Sequence, residues 1–232
     1  MRVIAILVLT LVAVSAAYCA DIVTVPTANQ LKAGQIDVAY YYLGLDLPAG
    51  APQSLQAQTL YIGLTDRVEL DVHRYDPQKN LDKTSTIVNA SVLLLPETAL
   101  NPAVVIGGRN LGGEKTTNNP TVDSKKKSWF ISAARNVTPM LPGGPKLPLV
   151  RLHVSLGTKD WTLLGESRHS GLFGGVQALL TPEIGAIALH DGQDLITGLT
   201  FTPGDKGVTL KGGMFGDHWW VGISYAKTIT AL

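Results

Sequence analysis

The chain has 232 residues, of which 45% are hydrophobic and 16% charged, with 24 glycines, 13 prolines and a single cysteine. Charged residues fall well below the roughly 25% of an ordinary soluble domain. The composition therefore excludes a disordered chain, a coiled coil and a highly charged nucleic-acid binder. One cysteine also excludes a disulfide framework and a cysteine-rich zinc module.

The first 20 residues have the layout of a secretory signal peptide. Met1-Arg2 is a short positive start, Val3 to Val14 is an almost unbroken apolar run, and Ser15 to Ala20 is a stretch of mostly small residues. This order predicts cleavage between Ala16 and Ala20 and export of the mature chain. The same residues account for the positive mean hydropathy of the chain, and no later run is long enough for a membrane-spanning helix.

The rest of the chain alternates between apolar and polar residues with period two, which is typical of β-strands with one buried face. The clearest run is 150–156, where valine and leucine alternate with Arg151, His153 and Ser155. About twelve such runs follow one another, and most have the roughly 9–11 residues of a tilted membrane-spanning strand. The runs lie near 34–44, 54–64, 68–75, 84–95, 102–111, 127–137, 149–158, 171–180, 184–190, 194–202, 207–215 and 218–227.

The connections between these runs alternate between two kinds. Residues 65–67, 96–101, 181–183 and 203–207 form short turns, whereas 45–53, 76–83, 112–126 and 159–169 are longer and more polar. Short turns at one end and long polar loops at the other are typical of outer-membrane barrels. Two tight connections at the loop end, near 191–192 and 216–217, and a long one at 138–148 depart from this pattern.

The sequence therefore predicts an all-β fold: a single antiparallel transmembrane β-barrel of about twelve strands over residues 34–232. Residues 21–33 are extended but weakly periodic, and we expect them to fill part of the lumen. Amphipathic aromatic rings suit the ends of such strands, at headgroup depth. The candidates are Tyr40, Tyr42, Tyr61, Trp129, Trp219 and Tyr225.

The polar phase of the strands predicts the residues that face the lumen. Both signs of charge are present, so the set fits either an interior salt-bridge network or the lining of a polar pore. The pattern contains no metal-binding motif and no cofactor-binding motif, and neither is expected. The lumen candidates are Asp37, Glu69, Asp71, His73, Arg109, Arg135, Arg151, His153 and Lys211, with Gln35 and Asn89 as further members.

Several short motifs resemble the YjbH-like family of outer-membrane barrel proteins, which are linked to exopolysaccharide export. Residues 23–28 and 31–35 resemble the opening of the family, and the tyrosines at 40–42 its first strand. Residues 103–111 resemble a Gly-x-Arg-Asp-Leu strand end, with Asn110 in place of the aspartate. Residues 172–176 resemble a Phe-Gly-Gly strand, and 189–192 with 198–201 a hairpin in which Leu189-His190 replaces Glu-Tyr.

The resemblance implies an outer-membrane location in a Gram-negative cell and contact with outer-membrane lipid, exopolysaccharide or proteins of the export machinery. The sequence favours a non-catalytic, structural or export-assisting, porin-like barrel. Two alternatives remain: a secreted soluble β-sandwich that binds carbohydrate or protein, and an outer-membrane lipid hydrolase built on a barrel. For the hydrolase, Ser167 and His169 in an outward loop are the residues to test.

Overall fold

A computed structural model of the protein describes residues 21–22, 25–45, 54–78, 84–113, 127–137, 149–159, 162–163 and 166–229. All regular elements in these ranges are β-strands. None of the described residues forms a helix that is long and apolar enough to cross a membrane. The predicted signal peptide at 1–20 and the loops near 114–126 and 138–148 lie outside the described residues.

Twelve antiparallel strands close into one barrel, so the predicted fold is confirmed. Neighbours in sequence pair with each other, β9 pairs with β12, and β16 closes the barrel by pairing with β3. Two short hairpins, β1–β2 and β10–β11, stand apart from the wall. The strands of the hairpins are β1 (Asp21–Ile22), β2 (Val25–Pro26), β10 (Thr162–Leu163) and β11 (Glu166–Ser167). Those of the barrel are β3 (Gln35–Gly44), β4 (Ser54–Gly63), β5 (Val68–Gln78), β6 (Ser85–Leu95), β7 (Ala103–Gly113), β8 (Ser128–Asn136), β9 (Leu149–Gly157), β12 (Gly171–Leu179), β13 (Ile184–His190), β14 (Leu195–Phe201), β15 (Val208–Phe215) and β16 (His218–Thr228).

The outer face of the barrel carries the apolar phase of the strands. On β9, Leu152, Val154 and Leu156 are exposed, and the residues between them are buried in the lumen. Val154 is 56% exposed and Leu156 is 55% exposed, which is unusual for large aliphatic side chains in a contiguous wall. The polar phase of the strands is therefore inside, and the apolar phase is outside.

The short turns are held by threonine side chains. Thr65 Oγ1 accepts a hydrogen bond of 3.0 Å from the N–H of Val68, and Thr181 Oγ1 accepts one of 3.0 Å from the N–H of Ile184. Each threonine replaces a backbone partner at the point where the chain reverses. We call this end of the barrel, with turns at 64–67, 96–102, 180–183 and 202–207, the turn end, and the opposite end the loop end.

A register shift interrupts the pairing of β6 with β7. It lies between Val88 and Ala90, opposite Asn110, which has φ of 55°. Asparagine tolerates this left-handed conformation better than most residues. The N–H of Asn110 donates to Asn89 Oδ1 over 2.8 Å, so the backbone group released by the bulge remains bonded.

Glycines make room for the indole of Trp220, which is buried in the wall at the loop end. Trp220 is directly opposite Gly213 on β15, which in turn is opposite Gly198 on β14. Trp220 Nε1 donates to the carbonyl oxygens of Thr197 and Met214, each over 3.2 Å. A ring that lies across two strands in this way needs neighbours without side chains.

Of the aromatic residues predicted for strand ends, five lie on the outward phase of their strands: Tyr40, Tyr42, Trp129, Trp219 and Tyr225. The prediction is wrong for Tyr61, which lies on the inward phase of β4 and is 1% exposed. Its ring meets His73 edge-on at 5.4 Å.

We predict that Gly213→Ala destabilises the barrel by about 1–3 kcal/mol, because an added Cβ overlaps the carbonyl oxygen of Thr197. Gly212→Ala is the matched control, since a Cβ there lies 3.4 Å from its nearest neighbour, the Trp220 oxygen. Urea unfolding in detergent micelles, followed by tryptophan fluorescence, measures the difference. Equal midpoints for the two variants would contradict this packing.

Candidate functional site

The N-terminal segment before β3 lies inside the lumen and bonds to both sides of the wall. Arg151 Nε of β9 donates to Asn29 Oδ1 over 2.7 Å, and Asn29 Nδ2 donates to Gln177 Oε1 of β12 over 3.3 Å. Across the barrel, the N–H of Leu31 donates to Glu69 Oε2 of β5 over 2.8 Å. Because these bonds are specific and buried, the segment is part of the folded barrel.

Two more contacts fix this segment, which we call the plug (residues 25–31). Gln30 Nε2 donates to Ser91 Oγ over 2.9 Å. Val25 and Ala28 are 1% and 3% exposed and join the same apolar cluster as the inward residues of the strands. The plug therefore offers amide groups to the polar lumen and apolar side chains to its core.

Arg151 also ties the plug to the turn end. Its Nη1 atom forms an ion pair with Glu97 Oε2, and the N–H of Asn136 donates to Glu97 Oε1 over 2.7 Å. Partial burial raises the pKa of Glu97, but the hydrogen bonds from Asn136 and Arg151 outweigh it and hold that pKa below its usual value. The carboxylate is thus kept ionised beside its arginine.

A chain of polar contacts runs along the inward face of β5. Asp71 Oδ1 lies 2.7 Å from His73 Nε2, and His73 Nδ1 lies 3.1 Å from the hydroxyl of Tyr75. Asn89 Nδ2 donates to the same Asp71 oxygen. Within the described residues, no group of three or more histidine, cysteine, aspartate or glutamate side chains is placed to hold a metal ion.

Most of the remaining predicted lumen residues are also inward. His153 Nε2 lies 2.7 Å from Gln177 Oε1, and Lys211 Nζ donates to the hydroxyl of Tyr41 over 3.2 Å. Arg109 and Asp37 are each 1% exposed. These residues belong to one continuous polar interior that the plug crosses.

Arg135 corrects the predicted set. The inward residues of β8 are Ser128, Phe130, Ser132 and Ala134, so Arg135 has the opposite phase and is exposed. Its guanidinium donates to the carbonyl oxygens of Ala99 and Leu100, over 2.8 Å and 3.3 Å. Arg135 therefore braces a short turn instead of lining the lumen, because one residue of phase exchanges the two faces of a strand.

Side chains occupy the described part of the lumen, and two small cavities lie between them. A polar one of about 10 Å³ lies between the plug and the wall, beside Asn29, Asp71 and Arg109. An apolar one of about 30 Å³ lies nearer the loop end. A single water needs about 10–15 Å³, so each of these two spaces has room for one or two waters at most.

The short hairpin β10–β11 covers the lumen at the loop end. Leu163 is 3% exposed and lines the apolar cavity together with Leu43, Leu55, Phe215 and Trp220. The loop-end half of the lumen is thus apolar, whereas the half around the plug is polar.

Arg168 fastens this cover. Its Nη1 lies 2.7 Å from Asp191 Oδ2 and 2.8 Å from Asp194 Oδ2, and its Nη2 lies 2.8 Å from Glu166 Oε2. Its Nε donates to the Leu163 carbonyl over 3.1 Å. Burial lowers the pKa of Arg168, but Asp191 and Asp194 outweigh it and raise that pKa above its usual value.

The residues singled out for lipid hydrolysis have other roles here. Ser167 Oγ donates to the carbonyl of Lys159. His169 is 2% exposed, and its ring lies 5.5 Å from the ring of Phe173. Its backbone N–H donates to the backbone carbonyl of Asp191 over 2.6 Å. Burial, together with the charges of Arg109 and Arg168, holds the pKa of His169 well below its usual value. A serine whose hydroxyl is engaged elsewhere is not arranged as a nucleophile.

The fold and its interior define a closed antiparallel barrel with an apolar outer face and an occupied lumen. No protein-family model matches the chain, and no curated protein matches it significantly. Among solved structures, it is similar to the N-terminal β-barrel domain of OprF from Pseudomonas aeruginosa, at 10% identity and a TM-score of 0.28. The match covers 85% of this chain and 100% of that one. The barrel assignment therefore rests on the strand pairing of the chain itself.

Three residues whose contacts close the lumen could not be recognised from the sequence pattern. Asn29, Gln177 and Arg168 stand in an aperiodic segment, in a weakly alternating strand and in a loop. The Asn29–Arg151 bond spans 122 positions. Only the prediction that residues 21–33 would fill the lumen pointed toward one of them.

We predict that Arg168→Met destabilises the fold by about 3–5 kcal/mol, because it leaves the fully buried carboxylate of Asp191 without its cation. Adding Asp191→Asn should recover part of the loss, since no uncompensated charge then remains. Urea unfolding of the single and double variants in micelles measures both effects. A wild-type midpoint for Arg168→Met would show that the ion pairs do not hold the cover.

Proposed function

We propose that the protein spans the outer membrane as a sealed β-barrel and acts as a structural or export-assisting component, and that it is neither an open pore nor an enzyme. The observation that carries this proposal is the combination of an apolar outer wall with a packed lumen. Each face of the strands then meets the solvent that suits it, lipid outside and polar side chains inside.

The outer wall supports the membrane location. Nine of the twelve barrel strands have 9–11 residues, the length that crosses a membrane at a tilt. Large apolar side chains are exposed on most of the barrel strands, and a surface of this extent is stable in lipid and aggregates in water. Closure pairs the backbone groups that lipid would leave unsatisfied.

The packed lumen supports the sealed state. The plug closes the polar half through Asn29, Gln30 and Leu31, and Leu163 under the Arg168 ion pairs closes the apolar half. Two unlike barriers lie in series, so the loss of one does not by itself create a water-filled path.

A role in exopolysaccharide export rests on the resemblance to the YjbH-like family alone. Because the lumen is filled, the barrel would not carry the polymer. It would instead contact export proteins or the polymer through its ends or its outer wall. The closed barrel contradicts the sandwich fold of the soluble alternative. The hydrolase alternative gains no support from Ser167, whose hydroxyl bonds to Lys159.

We expect the mature protein in the outer-membrane fraction, with a gel mobility that changes on boiling, and no conductance steps in planar lipid bilayers. A general porin prepared in the same way is the positive control for conductance. A protein in the soluble periplasmic fraction would overturn the membrane location. Stable channel openings at the frequency of the porin would overturn the sealed lumen.

For the export role, deletion of the gene should lower secreted polysaccharide several-fold, and the plasmid-borne wild-type chain should restore it. The polysaccharide is measured as total hexose in the culture supernatant. An unchanged amount in the deletion strain would refute the export role and leave the sealed barrel standing.

A further inference from the structure

Among the described strands, polar side chains interrupt the apolar outer face near the loop end of β4 and β5. Going up β5, the outward residues are Val68, Leu70 and Val72, and then Arg74. Going up β4, Ile62 and Leu60 are followed by Gln58. On β12, β14, β15 and β16, the outward residues nearest the loop end are apolar, namely Leu172, Leu195, Met214 and Trp219, whereas β13 ends in the exposed His190. The cluster of polar residues on β4 and β5 is therefore not repeated on these four strands.

Three polar side chains meet at this place. Arg74 is directly opposite Gln58 on β4 and directly opposite Thr86 on β6, and all three have the outward phase. Directly opposite side chains have Cβ atoms about 4.5–5.5 Å apart. Arg74 and Gln58 are exposed, and within the described ranges no residue forms a hydrogen bond or ion pair with the Arg74 side chain. A guanidinium group thus faces outward between an amide and a hydroxyl group.

An aromatic pair beside this patch indicates its depth in the membrane. Gln56, two residues above Gln58, is directly opposite Tyr42 on β3. The ring of Tyr42 lies 5.3 Å from that of Trp219, and both residues have the outward phase. Outward tyrosine and tryptophan gather at the headgroup level. An arginine is costly among acyl chains and tolerated at that level, where it meets lipid phosphates.

We propose that Arg74, Gln58 and Thr86 form a binding site for the phosphate group of lipid A, the phosphorylated glycolipid of the outer leaflet. The inference rests on the proposed function, which places the loop end at the outer leaflet. The planar fork of arginine matches two phosphate oxygens, and the amide of Gln58 and the hydroxyl of Thr86 supply further donors.

One acidic residue limits how the headgroup lies. Asp76 is the next outward residue on β5, and its Oδ1 accepts a hydrogen bond of 3.4 Å from Thr84 Oγ1. Because like charges repel, a phosphate bound to Arg74 lies level with Gln58 and Thr86, which are directly opposite Arg74, and away from Asp76.

The test titrates the full-length mature barrel in detergent with lipid A that carries both phosphates, and measures affinity by microscale thermophoresis. Arg74→Gln should bind about tenfold more weakly, and Arg74→Lys should fall between this variant and the wild type, since it keeps the charge and loses the fork. Arg67→Gln is the matched control, because Arg67 is exposed in a turn at the other end of the barrel. It should bind like the wild type.

Dephosphorylated lipid A separates phosphate recognition from contact with the acyl chains. The wild type should bind it as weakly as Arg74→Gln binds the phosphorylated form, and Arg74→Gln should not distinguish the two lipids. Equal affinities of Arg74→Gln and Arg67→Gln for phosphorylated lipid A would overturn the site. So would a wild-type dimer in crosslinking that Arg74→Gln dissolves while lipid A affinity is unchanged, since the patch would then be a subunit interface.

Gel mobility before and after boiling, and membrane fractionation, are measured for every variant. They distinguish a failure of the lipid site from a failure of the proposed function. A wild type outside the outer membrane would overturn the proposed function. A wild type in the outer membrane whose affinity ignores the phosphates would overturn only the lipid site.

Discussion

The structure depends on one constraint: the polar face of every strand is enclosed in a lumen too narrow for bulk water. A polar group in such a place must find a partner within the protein, because burying it unpaired is costly. Twelve strands enclose more space than their own inward side chains fill at the turn end. The plug supplies what is missing, since Asn29 engages Arg151 and Gln177 and the backbone of Leu31 engages Glu69. The plug therefore both fills the lumen and pairs the buried polar groups of the strands.

The two halves of the lumen meet this constraint differently. Around the plug, charged and amide groups bond to one another, as Asp71 does with His73 and Asn89. Near the loop end, the inward phase changes to large apolar residues, such as Leu43, Leu55 and Trp220, so few partners are needed. The free-energy cost of burying charged groups arises instead in the cover, where Arg168 is buried with its carboxylates and holds Leu163 in place. Removing one partner of such an ion pair is strongly destabilising, whereas replacing the whole pair by well-packed apolar residues often changes net stability little.

Much of the fold could be predicted from the sequence because period-two alternation encodes two faces. The run 150–156 assigns Arg151 and His153 to the lumen without any knowledge of the neighbouring strands. The same argument fails where the alternation does not show which residues face inward. Arg135 is an example, because it stands near the end of β8, where the small residues at 133 and 134 do not distinguish the two faces. The argument also fails for Tyr61, since a tyrosine suits a headgroup layer and a packed lumen equally well. The contacts of the plug and of Arg168 join elements distant in sequence, and no local pattern records them.

A filled lumen also changes where function can be located. In an open barrel, the inward phase selects solutes, and the outward phase needs only to be apolar. Here the inward residues are committed to one another, so an outside molecule cannot reach Asp71 or His153 without displacing the plug or the cover. Specific chemistry is then left to the ends and to the outer wall. In that wall, Arg135 has a structural role because it braces a turn, whereas Arg74 forms no such contact with the described residues, which is why Arg74, beside Gln58 and Thr86, is informative. Because the alternation places polar residues in the lumen and apolar residues outside, a polar residue on the outer face is recognisable as an exception.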